Sequence, residues 1–229
     1  MVISILMVLF LAITRQAYAV IVVFLLLVII EYFGYGYSMS MKNHTRTNEN
    51  IAHEIKTALE AYGITGPYVL LPHETSAMYA MYFEQVYPEL VQGIISIDGL
   101  YPAEINDEYY QLKQKEYVSN VNITGIFELT GFERILSYLR EDIFYINEMR
   151  EMPDHFGKEA LSVYRNRIGS NYLSRTMIRE INKLEDNMKE MANYKYPDYL
   201  PVLQLLATDR FKEYENAKKE GLTQIDLTT

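Results

Sequence analysis

The residues able to do chemistry are few, and their spacing narrows what they can do. Cysteine is absent from the 229 residues, which removes a thiol nucleophile, a thiolate metal site and a disulfide framework at once. The histidines are His44, His53, His73 and His155. His73-Glu74 has the start of a zinc-binding H-E-x-x-H helix, but the position four beyond His73 is Ala77, so there is no zinc pair and no metal site. Gly34-x-Gly36 lacks the third glycine of a dinucleotide fingerprint, and no helical pattern opens behind it; no cofactor is expected. Asn43-His-Thr45 and Asn122-Ile-Thr124 are glycosylation acceptors only in a eukaryotic secretory setting. With 21 Lys and Arg against 30 Asp and Glu, the formal net charge is −9. No basic cluster is present to neutralise phosphates, so nucleic acid is not an expected partner. What remains is the chemistry of carboxylates and hydroxyls.

Those residues need elements to position them. Hydrophobic residues make up 49% of the chain and charged ones 22%, which excludes disorder and allows one domain with a sizeable core. Glycine (11) and proline (7) are too sparse for a loop-rich all-β fold. Ile51, Ile55, Ala58, Leu59 and Tyr62 fall at helical spacing, with Gly63 as a stop. Tyr68-Val-Leu-Leu71 reads as a short buried strand, and Met78, Tyr79, Tyr82, Phe83 and Val86 share a face of a helix over 75–87 that Pro88 ends. Ile94-Ile-Ser-Ile97 is a further strand, ending at Asp98-Gly99. Strand and helix alternating over short connections predict βαβ units, hence a parallel sheet covered by helices.

Residues 103–196 read as helical and rich in tyrosine and charge. Thr130-Gly-Phe-Glu133 matches a capping box ahead of Ile135, Leu136, Leu139 and Ile143. Met177, Ile178, Ile181, Leu184, Met188 and Met191 form a second amphipathic stripe. Leu200-Pro-Val-Leu-Gln-Leu-Leu-Ala207 then returns as a strand, followed by a charged helix over 210–219. A helical block between two strands of one sheet has the character of a lid.

The N-terminus stands apart. From Met1 to Ile30 the strongly polar residues are Ser4, Thr14, Arg15 and Gln16, which split the apolar run. As a helix, residues 17–30 would cover about 21 Å of a hydrocarbon core of roughly 30 Å. Three readings remain open: a signal peptide over 1–19 with Ala17-Tyr18-Ala19 at its cleavage site, a membrane helix tolerating Arg15, or a buried β-branched strand within 20–30. The first two predict a membrane-associated or exported protein.

Glu31-Tyr-Phe-Gly-Tyr-Gly-Tyr-Ser38, Arg46-Thr-Asn-Glu-Asn-Ile51, Gly66-Pro-Tyr-Val-Leu-Leu-Pro-His73 and Ile94-Ile-Ser-Ile-Asp-Gly-Leu-Tyr-Pro102 together resemble the α/β-hydrolase family, in particular its membrane-anchored bacterial members. The resemblance implies an α/β fold, a partial α/β-hydrolase fold with a parallel sheet flanked by helices and a helical cap insertion. Its parts would be a hydrophobic signal or anchor over 1–19, a core over 20–102 with a strand at 22–31, a cap over 103–197, and a return strand and helix over 198–229. The family's first strands, and its last strand with the triad histidine, have no counterpart here, as though the fold were truncated at both ends.

The resemblance also implies a site. Family members carry a nucleophile elbow, G-x-S-x-G, on the turn from strand to helix; here that turn is Pro72-His73-Glu74-Thr75-Ser76-Ala77, so Glu74 stands at the serine's position. Pro72, Ser76 and Ala77 replace the glycines as small neighbours. Thr75 would supply the oxyanion N–H and His73 the residue before the nucleophile; Asp98 and Asp209 are the alternative acid positions. Some relatives use Asp at the elbow, but Glu is one methylene longer, and a misplacement of that size costs about a hundredfold in rate. The family's ester or amide hydrolysis is therefore expected to be impaired. The alternative is a non-catalytic, membrane-associated binding protein. Expected partners are a small acyl or peptide-like ligand under the cap, the membrane through the N-terminus, and another chain through open sheet edges.

Overall fold

The computed structural model describes residues 28–35, 38–39, 44–130, 135, 157, 159, 162–163 and 173–221. Met1–Glu31 and Tyr32–Thr229 are two compact units, and every element below belongs to the second. The signal, anchor and strand readings of residues 1–27 lie outside the described residues. Residues 28–31, the end of the strand expected over 22–31, have no strand structure. A short apolar β-branched run does not by itself distinguish a strand from other buried conformations. Among the described residues no helix is long and apolar enough to cross a membrane.

Helix α1 spans Asn48–Ala61. Its start is set by Thr47, whose hydroxyl accepts from the Asn50 N–H at 3.2 Å, satisfying one of the donors a helix leaves open at its first turn. Its end is the expected one. Gly63 has φ +68°, its N–H donates to Glu60 O and that of Ile64 to Leu59 O, the paired bonds of a Schellman cap that glycine makes inexpensive. Strand β1 (Tyr68–Leu70) leads through the elbow turn into helix α2 (Ser76–Val86), and a 3-10 turn at Pro88–Leu90 leads into strand β2 (Val91–Ile97). A second 3-10 turn, Pro102–Asn106, precedes helix α3 (Glu108–Thr130). Helix α4 (Arg175–Met191), strand β3 (Val202–Leu205) and helix α5 (Thr208–Lys219) follow.

Both strand pairs are parallel and the sheet order is β1-β2-β3. Parallel pairing demands crossovers, which α2 supplies between β1 and β2; the helical region containing α3 and α4 lies between β2 and β3. The register puts Leu70, Ile94 and Val202 in one row. That row faces the core with Ile51, Ile55, Met78, Tyr79, Phe83, Leu184, Met188 and Met191. The alternate residues Val69, Leu71, Ile97, Leu203 and Leu205 point the other way and are exposed.

Two helix expectations change in detail. Thr130 is itself helical, the final described residue of α3, and residues 131–134 and 136–143, where the expected helix falls, lie outside the described residues. The start of α3 is Asp107, whose Oδ1 accepts from the Tyr110 N–H at 3.1 Å. On α4 the buried stripe is only half of the apolar one. Leu184, Met188 and Met191 are buried, but beside them lie Thr176, Glu180 and Asn187, whereas Met177, Ile178 and Ile181 are only partly covered.

These polar residues are buried because they are partnered. The buried Arg46 donates from Nη1 to both Glu54 oxygens at 2.7 Å and from Nε to Glu180 Oε2 at 3.0 Å. Tyr79 on α2 donates to Glu180 Oε1 at 3.0 Å. Asn187 Nδ2 donates to Arg46 O at 2.9 Å, and Asn48 Nδ2 to Asn187 O at 3.0 Å. One guanidinium thus joins the loop before α1, α1 itself and α4, and through Glu180 it reaches α2.

A second buried carboxylate, Glu84 on α2, accepts from the Tyr194 hydroxyl, and burial pushes its pKa up. A carboxyl whose folded pKa exceeds its unfolded value binds its proton more tightly when folded, so its contribution to stability is lost as pH rises through that window. Glu84→Gln keeps an acceptor for Tyr194 and removes the charge. It is expected to be more stable than wild type at pH 7.5, with the difference shrinking toward pH 4, as read by urea midpoints at both pH values. An equal difference at the two pH values would contradict this.

Candidate functional site

The C-terminal ends of the three strands lie at one edge of the sheet, the edge where ligands bind in open α/β sheets. The β1–β2 ladder extends to it: His73 bridges Ile97 in parallel. Ile97 N donates to Pro72 O at 2.9 Å and Glu74 N to Ile97 O at 3.2 Å. Glu74 then turns the chain with φ +49°, a region that costs a residue with a Cβ about 1–2 kcal/mol. Its carbonyl accepts from the Ala77 and Leu100 N–H groups, each at 3.0 Å. The side chain itself is exposed at the apex.

Ser76 holds this turn closed. Its Oγ accepts from the His73 N–H at 2.7 Å and donates to His73 O at 2.6 Å. The hydroxyl is therefore engaged in the elbow backbone. Position 99 is glycine for a measurable reason: a Cβ there would come within 2.8 Å of the Ala77 Cβ and 2.2 Å of Ser96 Oγ. The end of β2 and the start of α2 approach too closely for larger side chains. Thr75 sits at the helix start with φ −57° and ψ −29°. Its N–H makes no hydrogen bond to the described residues, leaving it available beside Glu74.

The other residues expected from sequence are placed as follows. Asp98 ends β2 with φ +47°; its N–H donates to Leu205 O at 2.6 Å and its Oδ1 accepts from the Ala207 N–H at 3.3 Å. It clasps the ends of β2 and β3 together. Asp209 lies in the first turn of α5, directly after β3. His73 is exposed in the elbow. His44 Nδ1 lies 3.8 Å from Glu54 Oε1, on the far side of α1's N-terminus in sequence from the elbow, and His53 is exposed on α1. His155 lies outside the described residues. Gly34 is in a turn against the start of α4, where a Cβ would meet Thr176 at 2.5 Å, so this glycine serves packing. Among the described residues no group of His, Asp and Glu could hold a metal ion.

What the sequence did not single out is the tyrosine cluster behind the elbow. Tyr32 meets Tyr79 and Tyr35 edge-on, with centroids 5.9 and 6.0 Å apart. Tyr32 also shares a hydrogen bond with Ser76, and Tyr35 one with Glu180. Burial, reinforced by the Glu180 charge, pushes all three phenols above their ordinary range. Burial likewise raises Glu180, outweighing the lowering effect of Arg46. These phenols stay neutral and act as hydrogen-bonding walls.

No family profile matches the chain. Among solved structures, the Bacillus megaterium epoxide hydrolase in complex with an inhibitor superimposes with TM-score 0.50 at 16% identity, covering 82% of this chain and 80% of that one. A mutant of that enzyme with its naphthyloxy-propanediol product gives TM-score 0.51 at 17% identity over the same shares. The chain has the α/β-hydrolase fold. Glu74 lies at the apex of the turn that joins β1 to α2. Among curated proteins, the uncharacterized protein YbdG of Bacillus subtilis (strain 168) is 25% identical over 160 residues, which is 69% of this chain and 46% of YbdG. The chain thus spans about half the length of the curated relative it matches.

The positive φ at Glu74 predicts an unusual response to substitution. Glu74→Gly should relieve the backbone strain and gain up to about 1 kcal/mol, part of the relief being offset by glycine's greater unfolded-state entropy. Glu74→Val should lose about 1–3 kcal/mol, because a β-branched residue resists this conformation. Thermal midpoints of the two variants should therefore fall on opposite sides of wild type; a valine variant as stable as the glycine one would count against a left-handed Glu74.

Proposed function

We propose that this chain is a hydrolase-fold protein in which Ser-His-acid hydrolysis of esters and amides is impaired, because its elbow presents a carboxylate. The observation that carries this is Glu74 at φ +49° on the turn from β1 to α2. The adjacent hydroxyl supports it, since Ser76 Oγ is engaged with both the N–H and the carbonyl of His73. A serine nucleophile also needs a histidine within hydrogen-bond reach. Among the described histidines, His73 is within the elbow itself and His44 faces Glu54. On this reading the fold has kept the elbow as architecture, and its use is to bind a ligand at the strand ends.

The exposure of Glu74 favours one second reading, a carboxylate nucleophile acting on carbon. An epoxide suits it better than an ester. The carboxylate oxygen bonds to a ring carbon as the ring C–O bond breaks. The resulting alkoxide takes a proton from water, and the hydroxide so formed hydrolyses the enzyme ester to release the diol and restore the carboxylate. Two similar solved structures are of an epoxide hydrolase, which is why this class is tested.

The assay offers purified protein a short-chain chromogenic ester and, separately, an aryl epoxide, with wild type beside Glu74→Gln. No turnover of either substrate by either protein is the result expected. Epoxide opening by wild type that falls at least a hundredfold in Glu74→Gln would replace the first reading with the second. Ester turnover equal in both proteins would place the chemistry outside the elbow and overturn both.

A further inference from the structure

The helices α3 and α4 face one another across a cleft of about 340 Å³. Packed helices ordinarily bury apolar stripes against each other. Here the stripe on α3 runs through Gln114, Lys115 and Ser119, and the apolar part of the wall is Ile105, Val118 and Ile181. The volume is at the small end of the range for ligand cavities.

The hydrogen-bond inventory of this cleft does not balance. The Asn122 and Asn182 amides satisfy one another, each Nδ2 donating to the other's Oδ1 at 2.9 Å. Lys189 is neutralised by Glu185 at 2.6 Å. Besides the exposed Ser119 hydroxyl, two donors are left over. Gln114 is only 6% exposed and its Nε2 has no partner; a buried amide donor without an acceptor is uncommon and costly. The other is Lys115, which carries no counter-ion among the described residues. Nε2 itself is turned from solvent, so its use by a ligand requires a turn about the terminal torsion, which is soft in glutamine.

Two unmatched donors, one of them an uncompensated positive charge, above an aliphatic wall, define their complement. We propose that this cleft binds a small monocarboxylate, its carboxylate on Lys115 Nζ and Gln114 Nε2 and its short aliphatic chain on Val118 and Ile181. A doubly charged phosphate is disfavoured, since one charge would stay uncompensated in a chain of net charge −9. The site is separate from the elbow, and the inference does not depend on whether Glu74 performs chemistry.

The test is a titration of the full chain with sodium hexanoate, followed by methyl NMR of its isoleucines and valines. The expected result is a saturable shift of the Val118 and Ile181 methyls. Lys115→Met, an exposed site whose substitution leaves the core intact, should weaken it at least tenfold, and hexanol should bind at least tenfold more weakly than hexanoate. Glu74→Gln should bind hexanoate as wild type does, which separates this site from the elbow. The proposal is overturned if no saturable shift occurs, if Lys115→Met or hexanol binds as tightly as wild type with hexanoate, or if the shifts fall outside the cleft.

Discussion

The rest of the structure is arranged around one buried cation. Arg46 lies in the loop before α1, buried, with Glu54 on one side and Glu180 on the other. Taking a guanidinium out of water is costly, and removing one member of a buried pair typically destabilises by about 3–5 kcal/mol because the other is left uncompensated. Glu180 is 134 residues away in sequence, so the ion pair can form only when α4 has docked on α1 and α2. Tyr79 and Tyr35 complete the shell of Glu180, while Asn48 and Asn187 fix the neighbouring backbone. Apolar burial by Leu184, Met188 and Met191 supplies the non-directional attraction. The polar cluster supplies the register, since a slip of one turn along α4 would strand Glu180 and Asn187 without partners.

This clamp bears on the elbow through α2. Tyr79 binds Glu180 one turn beyond the helix start, and Tyr32 connects the same cluster to Ser76. Ser76 in turn ties both backbone groups of His73. The strained turn at Glu74 is therefore held from two directions, by the β1–β2 ladder in front and by the buried polar cluster behind. Strain of this kind persists only where the surroundings over-determine it.

Much of the scaffold was readable from the sequence, for reasons that can be traced to particular residues. Gly63 and Pro88 ended α1 and α2 where expected, and the three strands were visible as apolar runs at 68–71, 94–97 and 200–207, although β2 begins three residues earlier, at Val91, and β3 is shorter at both ends. Position 74 was found through a family resemblance, because a glutamate gives no hint of the left-handed backbone beneath it. The strap of Arg46, Glu180 and Asn187 was not readable at all. Local pattern assigns a charged residue to solvent, and only a partner more than a hundred residues away reverses that. For the same reason the apolar stripe of α4 was drawn through Met177 and Ile178 when Glu180 and Asn187 share the buried face. Asp107 starts α3, but a long helix of weak amphipathicity has no periodic onset to mark it.

The contact between Gly99 and Ala77 has a consequence for how position 74 behaves. With no room for a Cβ between the end of β2 and the start of α2, the elbow cannot rock, and the backbone of Glu74 acts as a fixed mount. All remaining freedom is in the side chain. A serine on this mount would sweep its oxygen through one torsion, while glutamate carries its carboxylate on three, so the tip samples an arc above a stationary base. Reaction at carbon demands a narrow angle of approach and is penalised by that sampling. Recognition of a cation or a hydrogen-bond donor tolerates an arc, which is the use the proposed reading gives this residue.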